Sequence, residues 1–261
     1  MTLQKISAAV ALLCMVSAPA FAQTKAPEPD YTLSYNAGVV TDYRYRGLSQ
    51  TSKKLALQGG VDFVHKNGFY AGTWASTVKW TKDDALVFGL NPGKTNSGNN
   101  NLEVDIYGGY KGEINKDFSF DVGALQYWYP GNKYENIIAA ANANTLELYG
   151  AVTYGPVTAK YSRSASNLFG FVNSSGSGYL DLSASFEIGK GLTLVPHIGR
   201  QTIRNSSASN YTDYSITLNK DFGNGFSASA AAVSTDTKLY VTSTGKNKGS
   251  SGLVLGAKYS F

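Results

Sequence analysis

The sequence predicts an all-β fold, a transmembrane antiparallel up-and-down β-barrel of about twelve strands. Three observations predict it. Polar and apolar residues alternate with period two in twelve segments, the connections alternate between short and long, and no apolar run after residue 22 is long enough for a membrane helix. A helix needs about 20 apolar residues to cross a bilayer, whereas a tilted strand needs about 9–11. Barrel strands turn only every second side chain to lipid, so the mean hydropathy of −0.19 does not argue against a membrane location.

The twelve segments follow from the alternation alone, because successive side chains of a strand point to opposite faces. They cover residues 31–48, 54–65, 69–80, 101–114, 117–129, 144–155, 156–166, 178–189, 191–203, 211–222, 225–237 and 250–261. The first is unusually long. It places Tyr43 and Tyr45 on the apolar, lipid-facing side and Arg44 and Arg46 on the polar side.

The connections alternate in length along the chain. The short ones are "KNG", "NK", "GP", "GKG" and "GNG", whose Gly, Asn and Pro supply hairpin geometry. Long connections lie between them, and "NIIAAANAN" in one of these predicts either a short helix or a plain surface loop. Outer-membrane barrels have short periplasmic turns and long extracellular loops. A large soluble β-sandwich is the alternative, but it gives no reason for the alternation of loop length.

The N-terminus has the pattern of an export signal over residues 1–22. Lys5 precedes an apolar run, and Ala20-Phe21-Ala22 has the form of a cleavage site. A retained helical anchor is the less favoured alternative. We therefore expect a signal peptide at 1–22, a periplasmic segment at 23–30 and an outer-membrane barrel at 31–261.

Composition excludes several function classes. The single cysteine, Cys14, lies in the signal segment, so no cysteine nucleophile or cysteine metal ligand remains. The formal charge is +5, but no block of Lys or Arg gives the footprint of a nucleic-acid-binding protein. We predict no cofactor and no metal site.

The polar side chains of the strands are expected to line the barrel interior. An Arg on the lipid face at mid-membrane costs about 2–4 kcal/mol, so Arg44 and Arg46 should point inward. The pore-lining candidates share this polar parity: Asp42, Arg44, Arg46, Asp62, Lys79, Glu103, Asp105, Lys111, Asp121, Glu147, Lys160, Asp181, Glu187 and Lys258. Some of them could instead form structural pairs, such as Asp42 with Arg44 or Glu103 with Lys111. A backbone radius of about 12 Å then predicts a narrow, charge-lined pore.

The C-terminus has a second targeting pattern, in addition to the export signal at the N-terminus. Gly256, Tyr259 and Phe261 have the spacing of the last strand of bacterial outer-membrane barrels, which the assembly machinery recognises. We therefore expect the barrel-assembly machinery and periplasmic chaperones as partners, together with outer-membrane lipid and lipopolysaccharide. The location predicted is the outer membrane of a Gram-negative bacterium.

Several stretches of the first half resemble the TorF family of porins. They are "NAGVVTDYRYRGLSQT" (36–51), "GFYAGTWAS" (68–76), "EVDIYGGYKG" (103–112) and "YWYPG" (127–131). The second half matches mainly in its strand rhythm and its terminal Phe. The resemblance implies a porin-like barrel and does not supply a substrate.

The leading functional hypothesis is a channel for passive diffusion of small hydrophilic solutes or ions, with no enzymatic activity. One alternative is a structural or surface-binding barrel that acts through its extracellular loops. Another, less favoured, is an outer-membrane hydrolase that uses His197, although no motif pairs this histidine with a nucleophile.

Overall fold

The computed structural model describes residues 29–261, of which residues 31–261 form one compact unit. The predicted signal peptide lies outside the described residues. Twelve barrel strands follow one another along the chain. They are β1 (Tyr31–Val40), β2 (Ala56–His65), β3 (Phe69–Thr77), β4 (Leu102–Glu113), β5 (Phe118–Trp128), β6 (Thr145–Tyr154), β7 (Val157–Ser164), β8 (Gly178–Ala184, continued as Phe186–Gly189), β9 (Leu192–Thr202), β10 (Tyr211–Gly223), β11 (Phe226–Thr235) and β12 (Gly252–Ser260).

The sheet closes on itself. Each strand pairs antiparallel with the next, and β12 pairs with β1, where Ser260 lies opposite Asn36. The predicted twelve-stranded barrel is therefore confirmed. The β8–β9 ladder is interrupted near Ser185, and Pro196 of β9 lies in the gap between the paired residues. Proline has no backbone N–H to donate, which accounts for the break.

The two ends of the barrel differ in their connections. We call the end with the short connections the turn end and the opposite end the loop end. At the turn end, Asn224 and Gly225 join β10 to β11, and both have positive φ (52° and 80°). A two-residue hairpin of this kind matches the strand twist, so the predicted "GNG" turn is confirmed.

Helix is confined to the loop end within the described residues. Helix α1 (Trp80–Phe88) follows β3, and two 3₁₀ turns lie at Tyr134–Asn136 and Ser207–Ser209. The alanine-rich stretch 137–141 forms turns rather than a helix, so of the two alternatives for it the loop is correct. No helix in residues 29–261 is long and apolar enough to cross a membrane.

The large apolar side chains of the strands point outward. Examples on one strand are Leu102 and Ile106, which are 40% and 52% exposed, as the alternation predicts. Leu182 and Phe186 of β8 also lie outward. Such an apolar exterior matches the lipid-facing side of a membrane barrel.

The first strand is shorter than predicted. β1 ends at Val40, and the chain then turns into the barrel instead of continuing along the wall. Tyr43 and Tyr45 were predicted to face lipid, and this is wrong because both lie inside. Alternation alone does not distinguish a wall strand from a short hairpin that has polar partners in the lumen.

Candidate functional site

The lumen is narrowed by a hairpin from the β1–β2 connection. Residues 42–51, which we call the inward hairpin, contain the short strands Arg44–Tyr45 and Leu48–Ser49. Arg46 and Gly47 form its tip with φ of 46° and 77°. A non-glycine residue with positive φ is uncommon, so surrounding contacts must stabilise Arg46 in this conformation.

Arg46 makes those contacts with the far wall. Its Nη2 donates to Glu147 Oε2 on β6 at 2.7 Å, and its Nη1 donates to Gln201 Oε1 on β9, also at 2.7 Å. The guanidinium carbon lies 4.1 Å from the ring centroid of Tyr179. An ion pair supported by a second hydrogen bond and an aromatic face fixes the tip on the opposite wall.

Arg44 fixes the base of the inward hairpin. Its Nε donates to Asp42 Oδ2 at 2.6 Å, and its Nη1 donates to the carbonyl oxygens of Gly47, Lys248 and Ser250 at 2.9–3.1 Å. The second carboxylate oxygen of Asp42 accepts from Ser49 Oγ at 2.5 Å. The two arginines thus have different tasks, since Arg44 organises the hairpin and Arg46 spans the lumen.

The two tyrosines of the inward hairpin bind acids and hydroxyls of the wall. Tyr43 donates to Glu103 Oε1 at 2.6 Å, and Tyr129 donates to the other oxygen of that carboxylate at 2.7 Å. The hydroxyls of Tyr45 and Tyr127 lie 2.7 Å apart. Glu103 is 1% exposed, so these donors replace the water that a carboxylate otherwise requires.

A cavity of about 570 Å³, which we call the lumen cavity, lies against the inward hairpin. One part of its lining is charged and hydrogen-bonding and includes Lys160, Asp181, His197 and Asp213. The Nζ of Lys160 lies 3.9 Å from the ring centroid of Tyr149. The cavity therefore carries charges of both signs on one part of its lining, beside apolar side chains such as Leu125 and Val233.

Nearer the turn end, lumen acids again bind tyrosines. Tyr107 donates to Asp62 Oδ1, and Tyr70 donates to Asp121 Oδ1, both at 2.5 Å. Lys111 lies directly across the ladder from Asp121. The acids and tyrosines are only partly buried, Lys111 is exposed, and no packed apolar cluster surrounds these groups in the described part of the barrel.

On the other side of the inward hairpin is a cavity of about 500 Å³, which we call the vestibule. Most of its lining comes from the loop-end connections and is aromatic or aliphatic, and Tyr45 borders both cavities. Tyr134 donates to Asp84 Oδ2 at 2.6 Å. Burial, and then the neighbouring charge of Asp84, raises the pKa of the Tyr134 hydroxyl well above its usual value, so this donor keeps its proton.

Thirteen of the fourteen predicted pore-lining residues fall into three groups. Five line the lumen cavity: Asp42, Arg44, Arg46, Lys160 and Asp181. Four acids bind tyrosine hydroxyls on the inner face, namely Asp62, Glu103, Asp121 and Glu147, so the suggested Glu103–Lys111 pair is wrong. Asp105 is buried on the inner face, and Lys111, Glu187 and Lys258 lie toward the turn end.

Lys79 does not lie on the lumen wall. β3 ends at Thr77, and Lys79 is the exposed residue that precedes helix α1. Its assignment to the polar face of a strand is therefore wrong. The residues that alternation missed are the aromatic partners of the acids, because tyrosines on either face fit a barrel pattern equally well.

His197 is held between acids. Its Nε2 lies 2.8 Å from Asp181 Oδ2, and its Nδ1 lies 3.6 Å from Asp213 Oδ1. Tyr179 is its other hydrogen-bond partner, and no serine hydroxyl is among the partners observed within residues 29–261. In the same part of the chain, no cluster of three or more His, Asp or Glu side chains is arranged to hold a metal ion.

Comparison with known families identifies the relatives of this chain. The profile of the bacterial family of unknown function Gcw_chp matches residues 24–261. The chain belongs to the Gcw_chp family. A search of curated proteins found no match to this Gcw_chp member.

Solved structures share the fold of this Gcw_chp barrel. "KdgM porin in complex with disordered oligogalacturonate" is 9% identical, with a TM-score of 0.52 over 88% of this chain and 98% of that one. A NanC porin structure is 12% identical, with a TM-score of 0.53 over 88% of this chain and 99% of that one. At these identities the likeness shows the fold alone, a closed antiparallel barrel like those of the two porins. The TorF assignment stays a prediction.

Proposed function

We propose that this barrel is an outer-membrane channel for passive diffusion of small hydrophilic solutes or ions, restricted by the inward hairpin. The observation that carries the proposal is a lumen cavity inside a closed barrel, lined in part by charged groups of both signs and bounded on one side by Arg46. Charged groups that line a narrow pore set which ions or solutes pass. The resemblance of the first half of the chain to TorF porins points the same way.

The proposed setting follows the usual orientation of such barrels, with the turn end in the periplasm and the loop end outside. The signal peptide would direct export, and Gly256, Tyr259 and Phe261 would be read by the assembly machinery after delivery by periplasmic chaperones. Tyr259 and Phe261 support this role because both rings are exposed on the outer face near the chain end. Outer-membrane lipid and lipopolysaccharide would surround the exterior.

The test is single-channel conductance of the refolded mature barrel in a planar bilayer. Arg46→Ala removes the contacts to Glu147 and Gln201, so we expect a conductance roughly twofold or more above wild type, since the constriction sets the flow. Arg163→Ala is the matched control, because Arg163 is exposed and lies outside the lumen cavity lining. Its conductance should equal that of wild type.

Absence of discrete conductance steps would contradict the channel, provided heat-modifiable gel migration shows a folded barrel. Steps that are identical in the wild-type and Arg46→Ala proteins would keep a channel but remove the constriction from the inward hairpin. The salt-gradient reversal potential measured in the same bilayers would give the ion preference of the lumen.

A further inference from the structure

The vestibule combines features that the channel proposal does not use. Its volume of about 500 Å³ is in the range of small-molecule sites, which are mostly apolar with a few placed polar groups. Rings converge on its wall, where Trp80 lies 5.2 Å from Tyr129 and 5.1 Å from Tyr134 between ring centroids. A loop end that only narrowed the passage would not require a cavity lined by aromatic rings.

The mouth of the vestibule exposes apolar side chains that do not belong to the strands of the barrel wall. Phe88, Ile138, Val172 and Leu239 come from four different connections, line the vestibule and are 48–56% exposed. A cluster of exposed apolar side chains on a surface region outside the strand belt is a mark of a binding surface. Leu86, on the same helix as Phe88, is 75% exposed but does not line the vestibule.

The charged residues of the vestibule indicate which class of ligand it would bind. The only charged residues that line the vestibule in the described chain are Asp84 and Lys248, and they form a buried ion pair with each other. The site therefore has no net charge to offer, and a charged ligand would lose its hydration without gaining a partner. The lumen cavity, by contrast, is lined by several charged groups.

We propose that the vestibule is a binding site for an uncharged small molecule with an aromatic ring. Such a ligand would pack against the rings of Trp80 and Tyr129 and would rest on Tyr45 of the inward hairpin, which forms part of the cavity lining. The site goes beyond the proposed channel, because binding here requires a folded loop end and does not require conduction.

The test uses energy transfer from tryptophan to the uncharged probe N-phenyl-1-naphthylamine, with the barrel in lipid nanodiscs. Trp74→Phe with Trp128→Phe leaves Trp80 as the only donor. We expect saturable transfer that empty nanodiscs lack. Adding Phe88→Ser and Leu239→Ser removes apolar contacts at the mouth and should raise the apparent Kd about tenfold. Leu86→Ser is the matched control and should leave the Kd unchanged.

Competition tests the ligand class. Benzyl alcohol should displace the probe at a lower concentration than benzoate or benzylamine, because only the alcohol is uncharged at neutral pH. Equal displacement by the three compounds would overturn the assignment to uncharged ligands. A transfer signal that is the same in the Phe88→Ser/Leu239→Ser protein would overturn the site, because the probe would then lie in lipid. Conductance is measured separately, so failure of this site and failure of the channel remain distinguishable.

Discussion

The loop end and the turn end of this barrel are built by different physical means. The buried apolar cluster lies at the loop end, where Tyr43, Trp80 and Ile137 pack together with side chains of several connections. The turn end has partly buried acids and tyrosines and exposed lysines along an inner face without such a cluster. The constriction formed by the inward hairpin and the buried apolar cluster thus lie at the same end of the barrel, and the inner face of the other end is polar.

Because of this difference, mutations at the two ends should have unequal effects on stability and on passage. Removing a buried hydrogen-bond partner leaves its donor without water, whereas a partly exposed donor can bind solvent instead. Changes at the loop end should therefore affect both passage and stability. Equivalent changes near the turn end should have weaker effects.

Excision of the inward hairpin should have the largest effect. Val40 and Ala56 are paired across β1 and β2, so residues 41–55 can be replaced by an Asn-Gly turn without changing the register. We expect conductance to rise roughly threefold or more, because the constriction is removed while the wall remains. A folded excision variant with wild-type conductance would show that the barrier lies elsewhere.

Glu103→Ala should cause the largest loss of stability. Tyr43 and Tyr129 would lose their acceptor, at a cost of about 1–3 kcal/mol for each buried hydroxyl. Asp62→Ala near the turn end is the matched comparison, and it should cost less than about 1 kcal/mol because water can reach Tyr107. Denaturant unfolding in micelles measures both. Equal losses would remove the distinction between the two ends.

Gly47→Ala should dislodge the tip of the inward hairpin. A Cβ at this position would lie 2.5 Å from Thr235 Cγ2 and 2.7 Å from Asp213 Cβ. Gly245→Ala is the matched control, because its φ of 75° is nearly the same as the 77° of Gly47 and a Cβ there would meet no atom within 4 Å beyond its chain neighbours.

Both alanine variants should lose about 1 kcal/mol of unfolding free energy from backbone strain. Only Gly47→Ala should lose more than that and also raise the conductance. If the two variants have the same stability and the same conductance, the tip is not seated as tightly against β10 and β11 as its contacts indicate.

Lys111→Glu should have the smallest effect. Lys111 is exposed near the turn end and lies across from Asp121, in a region where solvent ions screen its charge. We expect the cation-to-anion permeability ratio to rise by less than about twofold. Reversal potentials in a salt gradient measure this ratio, and a larger change would place the selectivity filter at the turn end.

Much of the wall was predictable because alternation in a strand is a local property. The position of β4 and the outward direction of Leu102 and Ile106 follow from period two in "NLEVDIYGGY". Turn positions were equally predictable, since Asn224 and Gly225 tolerate positive φ. Each of these features depends on neighbours in the sequence and on a lipid environment that penalises the opposite arrangement.

The arrangement inside the barrel depends on contacts between residues that are distant in the sequence. The sequence alone predicted the strand number, the outward face and an inward place for Arg44 and Arg46. It did not determine that "TDYRYRGLSQ" leaves the wall after β1, that Tyr45 separates two cavities, or that Arg46 meets Glu147 and Gln201. Those partners are 101 and 155 positions away along the chain, and only closure of the barrel brings them within hydrogen-bond distance. Local pattern fixes which face a residue occupies, whereas the partner it meets there depends on how distant strands are brought around the ring.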